Sequence, residues 1–232
     1  MRVRVRFAKV GKVRWTSHRD VARMWERAFR RVQLPLAYTQ GFSPRPRVSF
    51  GLALPTGAES VAEYLDVELA EGAGADVAAL PGRLTAALPA GVDALAAVVL
   101  DTGTASLQHE VTSCSWEVEP AGVAPAQLEE LVAGALARPS LVITRERKGQ
   151  RREQDVRAGI LACQAHGTTL LAELAAKPRA LRPSELLVAL GGLEEGRARR
   201  TSQWIERDGA RWEPVPLPLD ATAAPHVIGR AS

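Results

Sequence analysis

Three short stretches of this chain hold the residue types best suited to chemistry. The first contains Arg14, Ser17, His18, Arg19 and Asp20. An imidazole exchanges protons near neutral pH, so His18 has the chemistry of a general acid or base. Arg14 and Arg19 supply fixed positive charge for a phosphate or a developing anion. The same residues also make an ordinary helix start, with Ser17 capping a backbone N–H, Asp20 offsetting the dipole and His18 packing locally. The second stretch is the loop from Gln40 to Arg47, in which Pro44 and Pro46 stiffen the backbone. It presents Gln40, Ser43, Arg45 and Arg47 at little entropic cost on docking, while Phe42 either plugs the domain or stacks on a partner. A lid over the sheet edge is the plainer role. In the third stretch Lys148, Arg151 and Arg152 surround Gly149 as a basic hairpin tip, which neutralises phosphate or simply stays solvated. Asp155 and Arg157 are expected on one strand face as an ion pair that positions this tip.

Other chemistries find no support in the spacing. His109, His166 and His226 are scattered, and Cys114 and Cys163 lie 49 residues apart. There is no glycine-rich phosphate loop before a Lys-Ser/Thr and no serine nucleophile elbow. No catalytic residue, metal ligand or cofactor is therefore assigned. Both cysteines are expected to pack as small apolar side chains.

The elements that must position these residues follow from periodicity. Arg2–Lys9 alternates, with Val3, Val5 and Phe7 on one face and Arg2, Arg4 and Arg6 on the other, which predicts a strand. A helix follows from Ser17, with Val21, Met24, Trp25, Ala28, Phe29 and Val32 as its apolar stripe and Pro35 as its stop. Short strands are expected at Leu36–Thr39 and Val48–Leu54, then a strand at Leu65–Leu69, a helix at Asp76–Leu88 and a strand at Val92–Leu100. The order β-α-β-β-α-β is that of the ferredoxin-like split βαβ unit. In that topology Asp66 and Glu68 share a sheet face with the arginines of the first strand, so cross-strand ion pairs are expected there. Tyr64 alone supplies an aromatic on that face, which disfavours an open RNA-reading sheet.

The second half repeats the pattern. It has strands at Val111–Glu119, Leu141–Arg147, Thr168–Leu174 and Arg199–Arg207, and helices at Pro125–Ala137 and Pro183–Leu190. The expected fold is α+β, with tandem ferredoxin-like units of antiparallel sheet at 1–103 and 104–213 and a Pro-rich extended tail at 214–232.

Composition sets the bounds. With 232 residues, 46% of them hydrophobic and 24% charged, the chain is globular. It has no apolar run long enough to span a bilayer and no signal peptide, so a soluble cytoplasmic protein without membrane contact is expected. The net charge of +4 hides an asymmetry. Residues 1–50 hold 13 basic and 2 acidic residues, 51–144 hold 2 and 13, and 145–232 hold 15 and 11. Either these segments neutralise one another in the fold, or a basic surface is left for a polyanion such as RNA.

Several motifs carry a family resemblance: Arg6-Phe7-Ala8-Lys9-Val10-Gly11-Lys12, Ser17-His18-Arg19-Asp20, the Gly41-Phe42-Ser43-Pro44 loop with its flanks, and Glu63-Tyr64-Leu65-Asp66. Together they resemble the bacterial radical SAM-linked family, a domain of unknown function. The match is dense over residues 2–70 and returns at Lys148-Gly149 and Asp155-Val156-Arg157. The resemblance implies association with a radical SAM protein in a separate chain, and a genetic neighbourhood of ribosomal proteins and ribonuclease E/G. It implies no catalytic residues. The chain lacks the three-cysteine cluster motif, so any radical chemistry belongs to the partner.

The function expected from the sequence is a non-catalytic RNA-binding or substrate-presenting accessory protein that works with a radical SAM protein, with RNA or the ribosome as its further candidate partner. One rival is an RNA-processing endonuclease using His18; another is a protein-only adaptor.

Overall fold

Alternating valine and arginine at the N-terminus produce the strand around which the first part of the protein is built. The computed structural model describes residues 1–147 and 149–217. It divides into two units, one of Met1–Glu110 with 207–217 and one of Val111–Glu206. The division falls after Glu110 where 103 was expected, and residues 207–217 belong to the first unit.

In the first unit β1 (Arg2–Lys9) lies between β4 (Val92–Leu100) and β3 (Glu59–Glu68), both antiparallel to it, and β2 (Val48–Phe50) pairs with β3. Val3, Val5 and Phe7 pack under α1 (His18–Arg31), whose buried face is Val21, Trp25, Ala28 and Phe29. Phe7 meets the Trp25 ring edge-on at 5.0 Å. Helix α1 stops at Arg31 because Gln33 turns to φ 53, and the Leu34 N–H returns to Phe29 O. Pro35 follows this stop. Helix α2 (Leu80–Ala87) begins four residues later than expected, because the Asp76 carboxylate accepts from Ala79 N–H and holds a turn first. Leu36–Thr39 forms two isolated bridges, Leu36 to Leu69 and Tyr38 to Pro46, in place of a strand. The short α3 (Leu107–Glu110) closes the segment.

On the arginine face of β1, Arg4 and Arg6 are as buried as the valines opposite, while Arg2 is partly exposed. Arg4 grips Asp66 with two hydrogen bonds of 2.7 and 3.0 Å, both groups almost fully buried. Arg2 lies 3.7 Å from the same carboxylate. Glu68 pairs instead with Arg47, at 3.0 Å. Arg6 lies over the buried Tyr64 ring and donates to Val61 O, Glu213 and Val215 O. Val215 is itself buried, so the predicted tail is docked at its start; residues 218–232 lie outside the described residues.

In the second unit β5 (Val111–Pro120) is followed by α4 (Pro125–Leu136), with proline at the first helical position. A separate hairpin comes next, β6 (Val142–Arg147) against β7 (Gln150–Asp155). Then come β8 (Ile160–His166), β9 (Thr169–Ala175), α5 (Pro183–Ala189) and β10 (Glu195–Arg207). The sheet order is β10-β5-β9-β8, antiparallel throughout. The expected sheet strand at Leu141–Arg147 is corrected here. That stretch turns back on itself at Gly149 (φ 73), and β8, which buries Ile160, Ala162 and Cys163, takes the sheet position. Cys114 and Cys163 are both buried free thiols, and burial pushes Cys163 up to about 12. The short β11 (Ala210–Trp212) belongs to the first unit. Among the described residues no helix is long and apolar enough to cross a membrane.

Candidate functional site

The end of β1 carries a lysine where the alternation calls for a side chain inside the unit. Lys9 is 4% exposed, and its Nζ donates to Arg14 O at 3.1 Å and Thr16 O at 3.0 Å. Burial pulls its pKa below 10.5, against a smaller upward pull from the Glu63 carboxylate on β3. The bridged carbonyls belong to a 3₁₀ turn (Gly11–Trp15) and the residue after it. The buried Glu59 clamps the same turn from the other side, accepting from Gly11 N–H at 2.8 Å and lying 3.6 Å from the Arg14 guanidinium.

Above Lys9 is a narrow cleft with room for little more than a water molecule. Lys9, Glu63 and Tyr64 supply polar groups, and Phe7, Val21, Phe50, Leu52 and Leu54 supply apolar walls. His18 stands at the mouth, exposed, with its ring edge-on to Phe50 at 5.0 Å. Four of the motif stretches singled out in the sequence thus meet at one place: Phe7 with Lys9, His18, the residues after Arg47, and Glu63 with Tyr64. Sequence reasoning gave Lys9, Glu59 and Glu63 no role. Their signal was a set of charged residues within strands whose other positions alternate.

Next to the cleft the chain displays an indole. Trp15 is 64% exposed, and the Arg14 guanidinium lies over its ring at 5.1 Å. Gly57, at φ 93, donates to Arg14 O at 2.9 Å and comes so close that an added Cβ would lie 2.8 Å from a Trp15 ring atom. Ser17 is fully engaged as a cap, with Oγ accepting from Asp20 N–H and donating to the Asp20 carboxylate at 2.7 Å. That leaves Ser17 no hydrogen for a ligand.

Down the outer face of α1 run Arg19, Arg23, Arg27 and Arg31, spaced by four residues and all exposed. Arg23 lies 3.7 Å from Asp20, with both side chains about half exposed. Arg31 donates to Ala87 O. Arg19 and Arg27 have no carboxylate within ion-pair distance among the described residues. The basic N-terminal segment is therefore split: its strand arginines are neutralised by acidic residues further along the chain, and its helix arginines face solvent.

The other two stretches lie elsewhere. The Gln40–Arg47 loop is anchored at the opposite end of β1, through the Arg47–Glu68 pair, the Tyr38–Pro46 bridge and the Thr39 to Arg45 hydrogen bonds. Gln40, Ser43 and Arg45 are exposed, and Phe42 projects fully into solvent, so it plugs nothing. The basic hairpin lies in the second unit. There Arg145 pairs with Glu185 at 2.7 Å, Arg151 lies 3.9 Å from Glu146, and Arg152 is exposed. Lys148 lies outside the described residues. The expected Asp155–Arg157 strand pair is replaced by a turn. The Asp155 carboxylate accepts from the N–H groups of Arg157 and Leu141, which hold its pKa down, and the Arg157 guanidinium caps the end of α4 at Leu136 O and Arg138 O.

The chain belongs to the family described as an uncharacterized protein conserved in bacteria (DUF2344), whose model matches residues 2–183. No curated protein matches it. Among solved structures it is similar to a chain in the crystal structure of a Cbf5-Nop10-Gar1 complex, at 14% identity and a TM-score of 0.44. The likeness covers 87% of this chain and 48% of that one, so this protein spans about half the length of the chain it matches.

Proposed function

We propose that this protein is a non-catalytic RNA-binding accessory module whose first unit docks on the phosphate backbone through α1. The observation that carries this reading is the arginine series on that helix. Like charges four residues apart destabilise a helix by about 0.2–0.5 kcal/mol per pair. A cation at Arg19, in the first turn, also opposes the helix dipole. Folding gains nothing from either arrangement. A polyanion lying along the helix turns both costs into binding energy by counterion release.

The work with a radical SAM protein in a separate chain rests on the motif resemblance alone. The two strand orders, with the third strand of each unit beside the first and the fourth on its other side, support reading the units as tandem ferredoxin-like modules. The ring of His18 is held by its edge-on contact with Phe50, with no carboxylate beside it among the described residues, so the geometry supplies no triad-like support for an endonuclease.

The test is fluorescence anisotropy with structured RNA at several salt concentrations. Binding should weaken steeply as salt rises, and Arg19→Gln/Arg23→Gln/Arg27→Gln should flatten that slope by about three counterions' worth. Binding that ignores salt, or a slope unchanged in the triple variant, would end the proposal. Metal-independent cleavage lost in His18→Ala would favour the endonuclease.

A further inference from the structure

Trp15 sets an expensive exposed surface on an unusually fixed backbone. Most of its indole is in water, yet the peptide groups on both sides of it are held by a buried ammonium, with Arg14 O and Thr16 O each accepting from Lys9 Nζ at 3.0–3.1 Å. Arg14 O also accepts from Gly57 N–H at 2.9 Å, and Thr16 N–H is tied to Val13 O at 3.0 Å. The ring is flanked by the Arg14 guanidinium, itself steered by Glu59. A glycine with φ 93 makes room for the ring on the other strand connection. Burying a lysine ammonium is costly, even where its methylene stem packs against apolar neighbours. What it secures is the position of a solvent-facing aromatic beside the first residues of the arginine series.

We propose that Trp15 is a platform on which an unpaired RNA base stacks, with the Arg14 guanidinium backing the opposite face of the ring and Arg19 holding the adjacent phosphate. This deepens the RNA-binding reading and rests on it: it names single-stranded or bulged RNA as the substrate class. An aromatic face accepts any base and needs no hydrogen-bond code, so selection is for an unstacked nucleotide and not for a sequence. Fixing the platform in advance removes part of the ordering cost of docking. In duplex RNA the bases are paired and stacked on one another, so the platform gains nothing there and the α1 arginines act alone.

The experiment compares the full-length wild type with Trp15→Ala, Trp15→Phe and Gly57→Ala. Anisotropy is read with labelled oligouridylate and with a duplex RNA of equal length at one moderate salt concentration. Trp15→Ala should lose about tenfold or more on the single strand and stay within twofold on the duplex. Trp15→Phe should keep most of the affinity. Gly57→Ala, which keeps the indole but pushes a methyl group into it, should fall between the two. Because Trp15 is exposed, the melting temperature of Trp15→Ala should match the wild type, which separates lost stacking from lost fold.

Equal losses on both RNAs, or none on either, would overturn the platform while leaving wild-type, salt-dependent binding and the broader reading intact. A wild type that binds neither RNA at low salt would overturn both. Unchanged oligouridylate binding, combined with Trp15-dependent capture of a protein from RNase-treated lysate, would reassign the indole to a protein contact and also overturn the inference.

Discussion

Lys9 shows how one buried charge links stability to site geometry. Its amine titrates below 10.5 in the fold, chiefly through burial. Between that lowered value and 10.5 the unfolded chain holds the proton and the folded chain does not, so stability rises with pH across that window. The unfolding free energy of wild type minus that of Lys9→Met, from urea titrations at rising pH, should therefore grow as pH approaches 10.5. A flat difference would mean that burial does not penalise the ammonium. Arg4 makes the contrasting case. Its pairing with Asp66 was legible because strict alternation puts Arg4 and Asp66 on one sheet face, and the register sets them directly opposite. Breaking it with Arg4→Met should cost up to about 3 kcal/mol, because Asp66 stays buried with only the more distant Arg2, at 3.7 Å, to offset its charge. The double variant Arg4→Met/Asp66→Leu should recover much of that loss in chemical denaturation.

At the level of elements, apolar periodicity located most helices and the central strands, because each buries one face against the core of its own unit. It missed β8, whose buried residues are confined to one short run at Ile160, Ala162 and Cys163, and it failed where polar side chains carried the structure. The β6–β7 hairpin has few apolar residues to bury in a sheet, so its periodicity could not distinguish a sheet strand from a free ribbon. The turn before α2 was hidden for a similar reason, since one carboxylate on Ala79 N–H decides where that helix begins. Helix α1 should show stability and function opposed. Replacing Arg23 with Gln relieves two like-charge spacings and gives up the exposed pair with Asp20, so differential scanning calorimetry should find the melting temperature unchanged or slightly raised, by at most about 0.5 kcal/mol of stability. The same variant should bind RNA more weakly. Ser17→Ala acts the other way: losing the cap costs about 1 kcal/mol, while RNA affinity changes little, because Ser17 serves the helix alone.

Across the whole molecule, the charge asymmetry of the sequence resolves into paired and unpaired cations. The arrangement of charge along the chain was visible from the start. Beyond the Arg4–Asp66 pair, which arginines meet a carboxylate was not, because that depends on contacts from residues far away in sequence, as in the Arg6–Glu213 and Arg145–Glu185 pairs. The two basic surfaces can therefore be ranked. Arg145 and Arg151 already face Glu185 and Glu146, whereas Arg19 and Arg27 face solvent. Arg145→Gln/Arg151→Gln/Arg152→Gln should reduce RNA affinity less than Arg19→Gln/Arg23→Gln/Arg27→Gln in side-by-side titrations. The reverse order would move the principal docking surface to the second unit. Sequence motifs also pointed at the cleft without revealing its floor, since Lys9 and Glu63 are charges in strands and gain meaning only when the backbone brings them together.

Arg6 sits in the first strand, yet the carboxylate of Glu213 and the carbonyl of Val215 that satisfy it lie 207 and 209 positions further on. During synthesis this guanidinium must wait, hydrated or provisionally bound, until all the residues between it and Val215 have also been made. The first unit is thus completed only after Val111–Glu206 has been translated, and a nascent chain that stops short of Glu213 still lacks the groups that satisfy Arg6.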